Sequence, residues 1–237
     1  MVKSRLNLYY TVKRRLMPMF EYKGVQFTWL GHACFKVKAE GKTIYFDPYE
    51  LRDGEPADII FITHSHFDHL SLEDLSKIAS EKTIIVVSEE GKPQLAKLKV
   101  KEVKSVKPGD KITVDGITVE AVPAYNVNKF KAPGQPFHPK EEGMVGYVVT
   151  IGSVKIYHAG DTDKIPEMEG LNPDVALIPV SGTYVMTAEE AAEAVKLIKP
   201  KVAIPMHYGA IVGDKKDAER FKQLAKEVQV EILEKEG

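Results

Sequence analysis

The chain has 237 residues, of which 43% are hydrophobic and 28% charged, and its formal net charge is −1. That balance excludes a disordered chain and supplies apolar material for a sizeable core, while near-neutrality gives no global argument for nucleic-acid or membrane binding. One cysteine, Cys34, excludes an internal disulfide and a thiolate-based zinc cluster.

Residues 1–22 carry Lys3, Arg5, Lys13, Arg14 and Arg15 against Glu21 alone. They read as a basic arm or helix that packs Leu6, Tyr9, Leu16 and Phe20 on the domain or on a partner. The sharper reading is a nucleic-acid contact, with basic groups on phosphates and Tyr9 or Tyr10 stacking on bases. No apolar signal segment follows the basic start and no run is long enough to cross a bilayer, so a reducing, cytoplasmic setting is expected.

From Val25 onward, short runs rich in Val, Ile and Tyr are bounded by Gly, Pro or Asp. They predict strands at 25–30, 34–37, 43–47, 58–63, 83–88, 111–114 and 117–123, then at 144–151, 154–158, 174–179, 202–206 and 228–233. Asp115-Gly116 and Gly152-Ser153 predict tight hairpin turns. Ser71 starts a helix whose apolar positions are Leu72, Leu75, Ile78 and Ala79. Thr187 and Glu190 form a capping box ahead of Ala188, Ala191, Val195 and Ile198, and Pro200 closes that helix. Asp214 caps a third, with Ala218, Phe221, Leu224 and Ala225 on one face. A short fourth is expected from Lys92 or Pro93 to Lys97. The Pro-rich segment 126–143 has no periodicity and is expected to be a structureless, function-bearing loop. Neither repeat nor linker divides the chain, so one α/β (α+β) domain over 1–237 is expected, with two central sheets and helices outside.

The chemistry concentrates where the apolar run 58–62 ends in Thr63-His64-Ser65-His66-Phe67-Asp68-His69. Three imidazoles and a carboxylate within six residues, held at the end of a buried strand, are a metal-ligand pattern. His64 and His66 point the same way while the chain is extended, and Asp68 and His69 can aim at a neighbouring position once it turns. Imidazole and carboxylate donors suit zinc, with iron or manganese as alternatives. Asp161 and His207 also follow apolar strands and are candidates for the same centre.

These motifs resemble the metallo-β-lactamase superfamily over nearly the whole chain, and most of all its small single-domain branch that includes ascorbate-phosphate lactonase-like proteins. Leu30-Gly31-His32-Ala33-Cys34-Phe35, Ile44-Tyr45-Phe46-Asp47-Pro48, Tyr157-His158-Ala159-Gly160-Asp161-Thr162 and Ile204-Pro205-Met206-His207 follow that branch in order. The resemblance implies a four-layer αββα sandwich with metals at the sheet edge. It implies that His64 and His66 bind one ion and Asp68 and His69 the other, that Asp161 bridges them, and that His207 completes the second site. Asp47 would orient a ligand from behind. The third ligand of the first site is usually a histidine just after the strand that here reads 119–124, where this chain has Tyr125-Asn126. Either Asn126 or His138 fills that position, or one ion predominates. His32 and His158 match histidines of the branch, in a structural or a substrate-contacting role, and Cys34 reads as core.

The expected activity is hydrolysis of a lactone, acyl ester or phosphoester by a metal-bound hydroxide, with Asp68 orienting the nucleophile. The expected substrate is a small anionic or cyclic ester, held between the 126–143 loop and the turn at Tyr184. One rival is a phosphodiesterase or nuclease that uses the basic N-terminus. Another is a metal-stabilised binding protein without turnover. His66 stands where the superfamily's redox branch has glutamate, which disfavours redox chemistry. Oligomeric state is left open, a homo-oligomer included.

Overall fold

Two seven-stranded sheets face each other in the computed structural model, which describes residues 19–236. The first sheet runs in chain order: β1 (Met19–Tyr22), β2 (Val25–Gly31), β3 (Cys34–Ala39), β4 (Lys42–Phe46), β5 (Ile59–Ile62), β6 (Ile84–Ser88) and β7 (Glu102–Val106). Strands β1 to β4 form an antiparallel meander and β4 to β7 are parallel, with α1 (Leu72–Ile78) crossing from β5 to β6. β8 (Lys111–Val114) and β9 (Ile117–Pro123) begin the second sheet. A separate small hairpin of β10 (Phe130–Ala132) and β11 (Gln135–Pro136) follows. The second sheet resumes with β12 (Val145–Ile151), β13 (Val154–His158), β14 (Val175–Pro179), β15 (Val202–Met206) and β16 (Gln229–Val230). Its spatial order is β16-β15-β14-β13-β12-β9-β8, and α2 (Ala188–Ile198) and α3 (Lys215–Leu224) connect its parallel strands. This is the αββα sandwich.

The apolar runs are continuous because both faces of each central strand are covered. Ile59 and Phe61 point into the core between the sheets, while Ile60 and Ile62 join Leu75 and Ile78 of α1 in a second cluster. Asp115 and Gly116 have φ of 47° and 84°, the left-handed pair that a two-residue hairpin turn needs. Thr187 Oγ1 accepts from Glu190 N at 3.2 Å and Glu190 Oε2 from Thr187 N at 2.8 Å, closing the capping box of α2.

Several expectations are corrected. Residues 1–18 of the expected arm lie outside the described residues, and residues 19–22 form an edge strand rather than arm or helix. The fourth helix is a 3-10 segment, Lys92–Leu95. β7 went unread because Glu102 and Lys104 interrupt its apolar character. The 126–143 loop is not structureless, since it carries the β10–β11 hairpin and a 3-10 segment at Lys140–Glu142. The last strand shrinks to Gln229–Val230.

Candidate metal centre

The C-terminal ends of the central strands deliver the polar side chains to one edge, where open α/β sheets place their ligands. β4 leads into Asp47, β5 into the 63–69 turn, β13 into Asp161 and β15 into His207, while β2 leads into His32 and β9 into Asn126. All seven histidines of the chain gather here. His32, Asp47, Tyr184 and His207 have φ of 50°, 42°, 67° and 61°. Left-handed backbone at a non-glycine residue is sparsely populated and collects at functional sites.

His64 Nε2 lies 3.1 Å from His66 Nδ1, and His138 Nε2 lies 3.3 Å from that same atom. Asp161 lies between this triad and a second group. Its Oδ2 is 3.4 Å from His138 Nε2 and 3.1 Å from His207 Nε2, and its Oδ1 is 3.3 Å from His69 Nε2. The second group comprises His32, Asp68, His69 and His207. Within each group the donor atoms lie within 4.8 Å of one another.

The buried atoms His69 Nε2, His207 Nε2 and Asp161 Oδ1 are close to one another's groups yet make no aligned hydrogen bond. Short distances with the wrong angles are how donors look when they converge on a shared ion rather than on each other. The imidazole and carboxylate set fits a divalent cation, and His66 is exposed, so the cluster opens to solvent. The cluster is a binding site for one or more divalent metal ions.

Comparison with known proteins agrees with this geometry. A β-lactamase superfamily domain profile matches residues 26–207. The UPF0173 metal-dependent hydrolase of Thermoplasma acidophilum is 36% identical over 226 residues, spanning 89% of this chain and 95% of that one. The chain belongs to the UPF0173 metal-dependent hydrolase family. A crystal structure from Parabacteroides distasonis superposes with a TM-score of 0.76 at 32% identity, covering 91% of this chain and 96% of that one. A metallo hydrolase from Ignicoccus hospitalis superposes with a TM-score of 0.73 at 25% identity, covering 90% and 96%.

In this UPF0173 hydrolase most of the ligand candidates are braced from behind. Asp47 is fully buried. Its Oδ1 accepts from Thr63 N at 2.8 Å, and its Oδ2 accepts from Thr63 Oγ1 and His69 Nδ1, both at 2.7 Å. Thr63 Oγ1 is in turn 3.0 Å from His64 Nδ1, so one carboxylate orients two imidazoles. Ser181 Oγ is 3.2 Å from His207 Nδ1, and His32 Nε2 is 2.9 Å from Asp68 Oδ2. The far nitrogen of each ring, fixed by its partner, determines which nitrogen faces the metal.

Electrostatics separates the rings. Burial pushes His64 well below the usual imidazole range and His138 down to about 4, so both are neutral and able to donate a lone pair. Burial pulls on His69 too, but the Asp161, Asp47 and Asp68 carboxylates outweigh it and hold it well above that range. Asp161 is held well below the carboxylate range, because His207 and His69 overcome its burial. Burial would raise Asp68, but His69 and the hydrogen bond from His32 bring it to about 2.

Four placements refine the sequence reading. His158 Nε2 donates to Ala33 O at 2.9 Å, its Nδ1 accepts from Gly160 N at 3.2 Å, and its buried ring stacks on Phe46. With both nitrogens occupied and no exposure, it pins one sheet to the other and cannot meet substrate. Asn126 is buried and braces His138, and Tyr184 lines the cleft above the centre. Cys34 is buried under α1, where burial pushes its thiol up, far from nucleophilic use. Besides Ser181 behind His207, two braces escaped the sequence reading. Asp163 Oδ2 accepts from Val127 N at 2.7 Å and Asn128 N at 2.9 Å, tying down the start of the 126–143 loop. Glu90 Oε1 accepts from Ser65 N at 2.8 Å. The Asp161-Thr162-Asp163 doublet was a readable signal for the first; nothing local marks Glu90.

Proposed function

We propose that this protein hydrolyses an ester or lactone of a small molecule, with His64, His66 and His138 holding one divalent ion and Asp68, His69 and His207 a second. Asp161, which reaches toward both groups, would be shared between them. The observation that carries the reading is the approach of Asp161 to His69, His138 and His207 within 3.4 Å, which brings separate stretches of chain to one volume. A nitrogen-rich set without thiolates favours zinc, with iron and manganese as the other candidates. When bound, such a cation lowers the pKa of water held beside it toward about 7 and draws electron density from a carbonyl or phosphoryl oxygen.

The chain's own groups do the rest. Asp68, strongly acidic and fixed by His32, accepts a hydrogen bond from the attacking water and points its lone pair at the scissile group. A carboxyl this acidic holds a proton only briefly, so its role is orientation and relay rather than storage. Asp47, Thr63, Asn126 and Ser181 keep the imidazoles in the tautomer that presents a lone pair inward.

The test is metal analysis of the purified protein together with a hydrolysis panel of lactones, carboxylic esters, phosphodiesters and RNA, on wild type and His66→Ala. The reading expects bound metal and turnover of esters or lactones that His66→Ala abolishes. Activity unchanged by that substitution removes the first-site assignment. Turnover of RNA or phosphodiesters in preference to esters would favour the phosphodiesterase or nuclease reading instead.

A further inference from the structure

The cleft above the metal centre has a volume of about 380 Å³, and beyond the candidate ligands its walls are Phe67, Phe137, Tyr184 and Ile211. Phe67 is 67% exposed and Ile211 41%. Large apolar side chains held in water beside a reactive centre mark a surface waiting for an apolar ligand. Tyr184 meets Phe137 edge-on at 4.6 Å, and Phe67 meets Tyr49 edge-on at 5.9 Å, so two of these walls are shaped by ring contacts.

Charge points the same way. Among the described residues, neither lysine nor arginine lines this cleft. Of the three lysines on the 126–143 loop, Lys129 is held by Asp163 and Glu190, Lys140 by Glu167, and Lys131 is exposed on the β10–β11 hairpin outside the cleft lining. The fixed charges on the walls are the carboxylates of Asp68 and Asp161. The metal side of the cleft faces the scissile group, so the walls that meet the remainder of the substrate offer no cation to an anionic substituent. Such a group would lose hydration over Phe67 and Ile211 without a partner.

We infer that the substrate is an uncharged carboxylic ester or lactone whose aryl or alkyl part packs on Phe67, Phe137, Tyr184 and Ile211, and that phosphorylated or otherwise anionic esters are discriminated against. This inference rests on the hydrolase reading of the same site and, of the anionic or cyclic ester expected from the sequence, drops the anionic alternative.

The test compares phenyl butanoate with its ring-sulfonated counterpart as substrates of the metal-loaded full chain, corrected for spontaneous hydrolysis. In parallel, calorimetry compares butyl phenyl ketone, which cannot be hydrolysed, with its ring-sulfonated counterpart. The neutral member of each pair should win by about tenfold or more, in kcat/KM and in Kd, the scale on which an apolar pocket discriminates. Ile211→Lys, at an exposed position, should bring both ratios toward parity. Equal or better use of the sulfonated compounds, or ratios that Ile211→Lys does not move, overturns the inference. If no ester is hydrolysed yet the ketone pair still differs and responds to Ile211→Lys, the cleft assignment stands and the hydrolase reading falls. Hydrolysis without discrimination keeps the hydrolase reading and removes the cleft assignment.

Discussion

Asn126 Oδ1 accepts both N–H groups of His138, from the backbone and from ring Nδ1, each at 2.9 Å. With Nδ1 assigned as the donor, Nε2 is left with its lone pair directed toward His66 Nδ1, 3.3 Å away. Asn126 is itself fixed, because its Nδ2 donates to Tyr184 O at 2.8 Å and its backbone N to His138 O at 2.9 Å. Under the proposed assignment, the position where the resemblance implies a histidine ligand instead anchors a histidine brought in from downstream.

Asn126→Ala should therefore weaken metal binding without removing a ligand. The substitution strands the buried backbone N–H of His138 and frees its ring to rotate, at a cost of about 1–3 kcal/mol in stability. Loss of an orienting partner behind a metal-bound histidine lowers affinity by roughly 10–100-fold. Competition against a chromophoric chelator measures the affinity, and thermal unfolding of the metal-free protein measures the stability. Asn126→Asp keeps the acceptor but loses the donor to Tyr184, so it should fall between. Unaltered affinity in Asn126→Ala would separate His138 from the centre.

Asp47→Asn tests the second brace. The carboxylate accepts three donors through two oxygens, whereas an amide has one oxygen and would turn an NH2 toward either Thr63 N or the pair Thr63 Oγ1 and His69 Nδ1. At least one buried donor is then unpaired. Affinity should drop by about 10–100-fold, and both His69 and His64 should be disturbed, since Thr63 relays the contact to His64. Ring-proton NMR of the two histidines reads this directly. A change confined to His69 would break the relay.

Much of this site was legible because its signals are local. A strand buried on both faces reads as a continuous apolar run, and a ligand set that starts where such a run stops needs no tertiary knowledge, as at Ile62-Thr63-His64. β1 and β7 were not legible, since they lie at the ends of the first sheet and Glu21, Glu102 and Lys104 sit in them without penalty. His138 was ambiguous for a different reason. Its place depends on Asp163 holding residues 127 and 128 and on Asn126 holding the ring, contacts that span up to 36 residues of chain. His158 stayed open between a structural and a substrate-contacting role because a histidine beside glycine at a strand end looks the same whether its nitrogens face a ligand or a carbonyl.

Metal uptake should release a proton from His69. In the metal-free protein its ring is held protonated by Asp161, Asp47 and Asp68, which outweigh its burial, so Nε2 must lose its proton before it can bind an ion. Apparent affinity should rise with pH, by about tenfold per unit below the folded pKa of His69 for one displaced proton. Calorimetry in two buffers of different ionisation enthalpy counts the proton. The metal-free protein carries the opposite signs in its stability. A raised His69 contributes below its unfolded value of about 6.5 and loses that contribution as pH climbs through its folded value. The lowered His64 and His138 cost stability as pH falls below about 6.5, where the unfolded chain takes up protons they refuse. Metal binding with no proton release would mean that His69 is already neutral.

Gly160→Ala should damage the centre more than its size suggests. Gly160 turns the chain from β13 into Asp161 with φ of +64°, and an added Cβ would lie 2.9 Å from Val145 O and 3.2 Å from Thr63 Cβ. Those two neighbours are themselves joined, as Val145 N donates to Thr63 O at 3.2 Å across the two sheets. The methyl must either part the sheets at their joint or push Asp161 off the position from which it reaches His69, His138 and His207. Gly170→Ala is the matched control, with φ of +78° and nothing within 4 Å of its Cβ. Backbone strain alone costs about 1–2 kcal/mol in that conformation, so the control should lose that much stability and no metal affinity. Gly160→Ala should lose more stability and at least tenfold in affinity for divalent metal, the scale of a displaced ligand contact. Chemical denaturation and chelator competition on both variants separate the two effects. Equal losses in the pair would show that strain acts alone and that the fit of Gly160 against Thr63 and Val145 does not set the position of Asp161.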